Sequence, residues 1–323
     1  MPRVPVVVLA LLGTLSLCAP AARAQEVTLR ALTSFSEGTF FSRNFERLIE
    51  KINREGRGVL QIRYVGGPKA IPTMEAGNAL RSGVVDIANI ASAFYVNLVP
   101  EVDAQKLARV PTAEQRRNGA FAYFNRLHNE KMNAVYLARQ HGNIQFHLYL
   151  NKPIERSDLS GLKIRVTPVY RDFFGALGAT TVTTAPGEVY MALERGVVDG
   201  YGWPSVGIFD LAWHERTKYR VEPAFYVVDV AVLVNLDKWN GLTAQQQKLL
   251  SDAALWLEGL DRENDALVAK ELERQAQAGI RPIRLEGAEA KRYLERAHQV
   301  GWDSIARISP AHAPKLRALL DKQ

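Results

Sequence analysis

Ala79-Leu80-Arg81-Ser82-Gly83-Val84-Val85-Asp86 returns 113 residues later as Ala192-Leu193-Glu194-Arg195-Gly196-Val197-Val198-Asp199, and each copy has a glutamate four residues upstream, Glu75 and Glu188. Each copy reads as the end of a helix, then a glycine where positive φ is needed, then a two-valine entry into a buried strand that closes on the aspartate. A helix-to-strand turn made twice, half a chain apart, predicts two similar α/β lobes. Ligands of open parallel sheets sit outside the carboxyl ends of the strands. The stretches after each G-V-V-D, Ile87–Tyr95 and Gly200–Pro204, are therefore expected to face a shared cleft.

Outward from the repeats, strand and helix patterns alternate. Val27, Leu29 and Ala31 predict a strand, Phe41, Phe45, Leu48, Ile49 and Ile52 a helix, and Leu60, Ile62 and Tyr64 a second strand. Ala120, Phe124 and Leu127 mark another helical face. The alternation over Ile144–Leu150 predicts a long strand crossing between lobes. Ile164 and Val166 then read as a strand, and Tyr170, Phe173, Phe174 and Leu177 as a helix. Val227–Val234 is a near-continuous apolar strand, and Thr243 to about Ala278 lacks proline and predicts one long helix.

At the amino end Arg3 precedes an apolar run from Val4 to Pro20, and Ala22-Arg23-Ala24 fits an A-x-A cleavage site. The expectation is a secretory leader over residues 1–24, cut near Ala24, with the product in the periplasm. Lipid anchoring through Cys18 is the competing reading, but Leu17 stands where a lipobox wants a small residue. Cys18 is the only cysteine, so removal of the leader leaves a thiol-free chain that an oxidising compartment tolerates. The net charge of +7 falls by two with Arg3 and Arg23. That modest surplus is spread along the chain, which suits an anion binder and speaks against nucleic acid as a partner.

The stretches Gly161–Pro168 (G-L-K-I-R-V-T-P), Pro186–Gly200 (P-G-E-V-Y-M-A-L-E-R-G-V-V-D-G) and Pro204 resemble the DctP family of solute-binding proteins of TRAP (tripartite ATP-independent periplasmic) transporters. The likeness extends to Lys218-Tyr219 and to V-N-L-D-K-W at Val234–Trp239. It implies a two-lobed α/β fold of the Venus-flytrap, periplasmic binding protein type, with crossing strands and a long interlobe helix. On that basis residues 25–142 plus roughly 231–270 form lobe I, and 143–230 plus roughly 271–323 form lobe II with the C-terminal helices. It further implies a monomer that captures a small-molecule carboxylate and delivers it to integral membrane subunits.

The resemblance assigns Arg165, the arginine of G-L-K-x-R, to the ligand carboxylate. Arginine offers a planar fork that keeps its charge, and a place between Ile164 and Val166 on a strand would hold it rigidly. A surface arginine, or one paired with Asp172 or Asp199, is the structural alternative. Trp203 stands where sialic-acid-binding relatives carry an asparagine, while Ala91 and Phe94, beside Tyr95, fall where sugar-acid binders are charged. A second arginine common on the crossing strand is replaced near Gln145 or Phe146. The expected site is thus Arg165 with Trp203, Phe94, Tyr95, Ala91, Phe146, His147 and Tyr226, a pocket poorer in charge and richer in aromatic surface. Core packing is the alternative for Trp203 and Phe94, and a satisfied structural role for His147. Asp86 and Asp199 are expected to take loop N–H groups, since they would repel an anion.

Catalytic signatures are missing from the sequence. There is no G-x-S-x-G elbow, no phosphate-binding glycine loop, and no metal spacing among the six histidines, so no cofactor, metal or catalytic residue is expected. The sequence therefore points to a binding protein for a monocarboxylate with an apolar or aromatic body. A periplasmic sensor feeding a membrane receptor is the alternative, and an exported hydrolase or lyase a more distant one.

Overall fold

The computed structural model describes residues 26–322, so the expected leader, its cleavage near Ala24 and Cys18 lie outside the described residues. Among these residues the strands are, in chain order, β1 (Val27–Thr33), β2 (Leu60–Gly66), β3 (Ile87–Ala91), β4 (Ala134–Gln140), β5 (Phe146–Leu150), β6 (Lys163–Val166), β7 (Thr180–Thr183), β8 (Gly200–Pro204), β9 (Tyr219–Glu222), β10 (Val230–Asn235) and β11 (Arg281–Arg284). They form two sheets, β2-β1-β3-β10-β4 and β11-β9-β5-β8-β6-β7. Each is the core of one lobe. In the first, β1 pairs parallel with β2 and β3, and β10 runs antiparallel beside β3. In the second, β6 pairs parallel with β7 and β8, and β5 runs antiparallel beside β8. The two sheets repeat one plan.

The repeated octapeptide is the clearest case of this duplication. Helices Ala76–Arg81 and Val189–Glu194 end just before Gly83 and Gly196, whose φ angles of 73° and 66° lie in the left-handed region that favours glycine. The two valine amides then bond back to Ala79 in one copy, at 2.9 and 3.3 Å, and to Ala192 in the other, at the same distances. Here the structure corrects the sequence reading. Val-Val-Asp is the turn before the strand, because two residues are spent redirecting the chain after the glycine, and β3 and β8 begin at the next residue. Val85 and Val198 are buried while Val84 and Val197 are exposed.

The aspartates close the turn onto the neighbouring parallel strand. Asp86 donates its N–H to the Arg30 carbonyl at 2.8 Å and accepts the Arg30 N–H on Oδ2 at 2.8 Å. Asp199 does the same to Lys163, at 2.7 and 2.9 Å. A side-chain oxygen thus stands in for a ladder carbonyl one residue before backbone pairing begins.

Two segments cross between the lobes. The expected strand over Ile144–Leu150 starts only at Phe146, and that over Val227–Val234 only at Val230. The intervening residues belong to neither sheet; Gln145 bridges Val227 and the Val228 N–H reaches the Ile144 carbonyl at 2.8 Å, which ties the two crossings together. The expected single helix from Thr243 to Ala278 is in fact two, Ala244–Gly259 and Asn264–Gln277, joined by a 3₁₀ turn at Leu260–Glu263. A Thr243/Gln246 capping box starts it. The break has a cause nearby, since the Asp261 carboxylate accepts the backbone N–H of His141 at 2.8 Å and of Gly142 at 3.3 Å on the crossing segment. The first half packs on lobe I through Leu250, Ala253 and Leu257; in the second, Gln275 bonds Ser205 of lobe II at 2.9 Å.

Three histidines are sealed inside this framework. Burial pushes His128, His141 and His147 down to about 4. The unfolded chain, near 6.5, then binds protons that the folded chain refuses, so their contribution to stability is complete from about a unit above pH 6.5 and is lost as the pH falls through 6.5 toward 4. Urea unfolding at pH 7.5, 6.5 and 5.5 should show a loss of about 1 kcal/mol over the upper interval and a larger loss, about 3 kcal/mol, over the lower one. Equal stabilities at pH 6.5 and 5.5 would show that these imidazoles are not held neutral.

Candidate functional site

The carboxyl ends of β3, β6 and β8 converge where the lobes meet. An inner cavity of about 40 Å3 is lined there by Phe35, Phe41, Ala91, Phe94, Phe146 and Trp203, with Thr167, Tyr170, Lys106 and Asp229 among its polar-tipped residues. An outer cavity of about 210 Å3, between the Phe35–Thr39 loop and the Ala185–Gly187 loop, shares Phe35, Phe41 and Trp203 with it. Trp203 is the common wall, with its ring 6.0 Å from Phe41 across the cleft and 4.6 Å from Trp213 behind it. A larger groove of about 960 Å3 opens on the hinge side beside Arg109, Arg116 and Asp261. The parallel strands of neither sheet end there, so the smaller pair is the candidate site.

Arg165 sits one layer behind these cavities and is fully buried. Neither Asp172 nor Asp199 pairs with it: Asp172 is taken by Ser304 and Arg307, and Asp199 by Lys152 and Lys163. Its Nε and Nη2 donate to the Thr184 carbonyl at 3.1 and 2.6 Å, and Nη1 to the Tyr170 hydroxyl at 3.2 Å. Trp203 and Trp213 flank the guanidinium, with ring centres 5.8 and 6.0 Å away. A guanidinium has five N–H donors, so one on each terminal nitrogen is left without a protein acceptor among the described residues. No carboxylate there lies within 4 Å of it. Burial lowers its pKa, opposed by Tyr170 and Glu188, but an arginine stays charged throughout.

The other buried cations near the cleft are neutralised. Arg139 pairs with Asp229 at 2.8 Å, and Lys106 with Asp103 at 2.8 Å while also donating to the Val169 carbonyl at 2.5 Å. Burial pushes both carboxyl groups upward against the pull of these partners.

Of the residues expected from the sequence, Trp203, Phe94, Ala91 and Phe146 line the inner cavity together. Three others do not reach it. Tyr95 is in the lobe I core, its hydroxyl 3.1 Å from His128 Nε2, because Tyr95 follows the short 3₁₀ turn Ser92–Phe94 that swings it away. His147 lies on β5 with Nδ1 held at 2.9 Å by the Val221 carbonyl. Tyr226 donates its hydroxyl to the Ala297 carbonyl at 2.8 Å. Thr167, Tyr170, Lys106 and Asp229 were missed. Only Thr167 had a visible signal, two residues beyond Arg165 in the same motif.

Among the described residues no group of histidine, cysteine, aspartate or glutamate is placed to hold a metal ion, and no helix is long and apolar enough to cross a membrane.

Residues 33–300 match the family described as bacterial extracellular solute-binding protein, family 7 (DctP). The chain belongs to this family. Relatives of the family 7 chain include the monocarboxylate 2-oxoacid-binding periplasmic protein of Nostoc sp., 25% identical over 71% of this chain and 65% of that one. The C4-dicarboxylate-binding periplasmic protein DctP of Rhodobacter capsulatus is 29% identical over 48% of this chain and 50% of that one. The matched stretches thus span about half to two thirds of these relatives' length. Among solved structures, a TRAP periplasmic solute-binding protein of Desulfovibrio salexigens with bound orotic acid superposes with a TM-score of 0.80 at 22% identity, covering 90% of this chain and 96% of that one. Bordetella pertussis DctP7, an extracytoplasmic solute receptor binding pyroglutamic acid, gives 0.81 at 16% identity, covering 91% and 99%. The two-lobed fold is thereby that of solute-binding proteins, and these relatives are binders, not enzymes.

One contact spans the mouth of the cleft in this family 7 chain. The helix Phe40–Glu55 of lobe I has no side-chain cap of its own, and the N–H of its first residue, Phe40, donates to Asp210 Oδ2 of lobe II at 2.7 Å. A carboxylate of one lobe therefore caps a helix of the other, an interaction made only when the lobes meet. Such caps contribute about 0.5–2 kcal/mol, so Asp210→Ala should weaken ligand binding by roughly twofold to thirtyfold through faster release. Stopped-flow measurement of the dissociation rate checks this, and an unchanged rate would mean that the contact does not hold the lobes together.

Proposed function

We propose that this chain is the periplasmic solute-binding component of a TRAP-type transporter, exported with its leader removed near Ala24, and that as a monomer it presents a captured small organic acid to the integral membrane subunits. The acid is a monocarboxylate with an apolar or aromatic body. Arg165 receives its carboxylate, and Trp203, Phe94, Phe146 and Ala91 surround the rest. One observation carries this reading: a fully buried guanidinium with two unused donors and, among the described residues, no carboxylate beside it. Taking such a charge out of water costs several kcal/mol, and a ligand anion is the natural offset.

The charge count argues for one carboxylate over two. Lys106 and Arg139 are spent on Asp103 and Asp229, which leaves Arg165 as the buried cation at the cleft without an acidic partner among the described residues. The names of the relatives bracket the choice, with monocarboxylate 2-oxoacids for the Nostoc protein and C4-dicarboxylates for the Rhodobacter one. Because the inner cavity is walled by Ala91 and Phe94 of one lobe and by Phe146 and Trp203 of the other, the acid enters while the lobes are apart and is enclosed as they meet.

Arg165→Lys keeps the charge and loses the planar fork. Affinity for the best acid from a thermal-shift screen should fall by about tenfold to a hundredfold in calorimetry, with the ligand-free fold intact. An unchanged dissociation constant would remove Arg165 from the site. Trp203→Asn should cost an apolar acid roughly tenfold and narrow its lead over polyhydroxylated acids. If the ligand-free protein instead loses several kcal/mol and the ratio of affinities stays put, Trp203 serves packing alone.

A further inference from the structure

Behind the cleft, the hinge-side groove of about 960 Å3 shares two lining residues with the inner cavity, Lys106 and Val227, and Gln145, which bridges Val227, lies in the groove. The crossing segments are therefore the back of the cleft and the floor of the groove at once. The two walls of the groove come from different lobes. Leu255 belongs to the helix Ala244–Gly259, which packs on lobe I. Leu294 belongs to the helix Gly287–Ile308, on which the Tyr293 ring lies 5.1 Å from Phe173 and the Ala297 carbonyl accepts the Tyr226 hydroxyl at 2.8 Å, both partners in lobe II. That helix passes Leu107 of lobe I at Gly301, about two turns beyond Leu294, with no side chain to interlock; a Cβ there would come within 2.7 Å of Leu107.

In this structure the lobes are together, since the inner cavity has only about 40 Å3 and Asp210 caps the Phe40 helix. A rotation about the crossing segments that parts the lobes at the cleft brings the walls of the groove toward each other. Leu255 and Leu294 are 54% and 39% exposed as the lobes stand. Narrowing of the groove takes that apolar surface out of water, which is favourable. We propose that the hinge-side groove is a counter-cleft, whose apolar walls meet when the cleft opens, hold the ligand-free protein open, and are parted again when an acid is enclosed. Affinity is then set in part by residues that touch no ligand, because they fix the fraction of the free protein that stands closed. The inference rests on the reading that the lobes part to admit the acid.

The test needs no ligand. Cys18 is the only cysteine, so in the chain begun at Gln25 a pair of introduced cysteines can be labelled cleanly. Spin labels at Glu50→Cys in lobe I and Arg195→Cys in lobe II, both exposed positions, report the separation of the lobes by double electron–electron resonance. The parent protein should show an open population. Leu255→Gln and Leu294→Gln keep a good helix former and remove the apolar surface. Each should lower the ratio of open to closed protein by about threefold to tenfold, and the two together by more. Leu267→Gln, 40% exposed but outside the groove, should leave the ratio alone. A parent protein with no open population, a ratio unchanged or raised by either groove variant, or a fall matched by Leu267→Gln would overturn the inference. No acid enters the measurement, so the role of Arg165 and the choice of ligand stand or fall on their own tests.

Discussion

A guanidinium held entirely out of water governs this molecule. Desolvation of such an ion costs several kcal/mol, and the fold meets part of that cost with fixed dipoles and π faces instead of a counter-charge. Thr184 supplies a carbonyl, Tyr170 a hydroxyl that itself donates to the Gly202 carbonyl at 2.6 Å, and Trp203 and Trp213 supply ring faces. Each of these partners belongs to a different segment of lobe II. Arg165 therefore organises the end of β6, the start of the following helix, the loop before Glu188 and the end of β8 around a single incomplete electrostatic site.

The remainder of the cleft keeps that incompleteness specific. Ion pairs silence Lys106 and Arg139, and the aromatic walls exclude water, which strengthens any interaction that forms inside. On the proposed reading, an acidic side chain reaching Arg165 from lobe I would have satisfied it permanently and closed the site to ligands. Ala91 and Phe94 occupy that wall instead.

Motion is built into the parts that join the lobes. The two crossing segments belong to neither sheet ladder, and the helix that spans both lobes is interrupted where Asp261 grips the His141–Gly142 backbone. A 3₁₀ interruption in a long helix is a common place for a hinge. The cap that Asp210 places on the Phe40 helix lies at the opposite edge, so small rotations at the hinge make or break it.

Local chemistry determined much of this in the sequence itself. A glycine that must adopt positive φ, followed by one outward and one inward valine and an aspartate, encodes a helix-to-strand turn without help from distant residues, and two copies of it encode two lobes. The face of the Phe40–Glu55 helix was equally legible, because Phe41, Phe45, Leu48, Ile49 and Ile52 recur at helical spacing and all are buried. What the sequence could not decide was which polar groups end up paired. Tyr95, His147 and Tyr226 were expected at the cleft, yet each finds its partner in a residue 33, 74 or 71 positions away, and such partners carry no local signal. Lys106 and Arg139 became silent, and Asp210 a bridge, for the same reason. A side chain's chemistry is written in the sequence, but whether that chemistry is left unsatisfied depends on long-range packing, which only the tertiary structure decides.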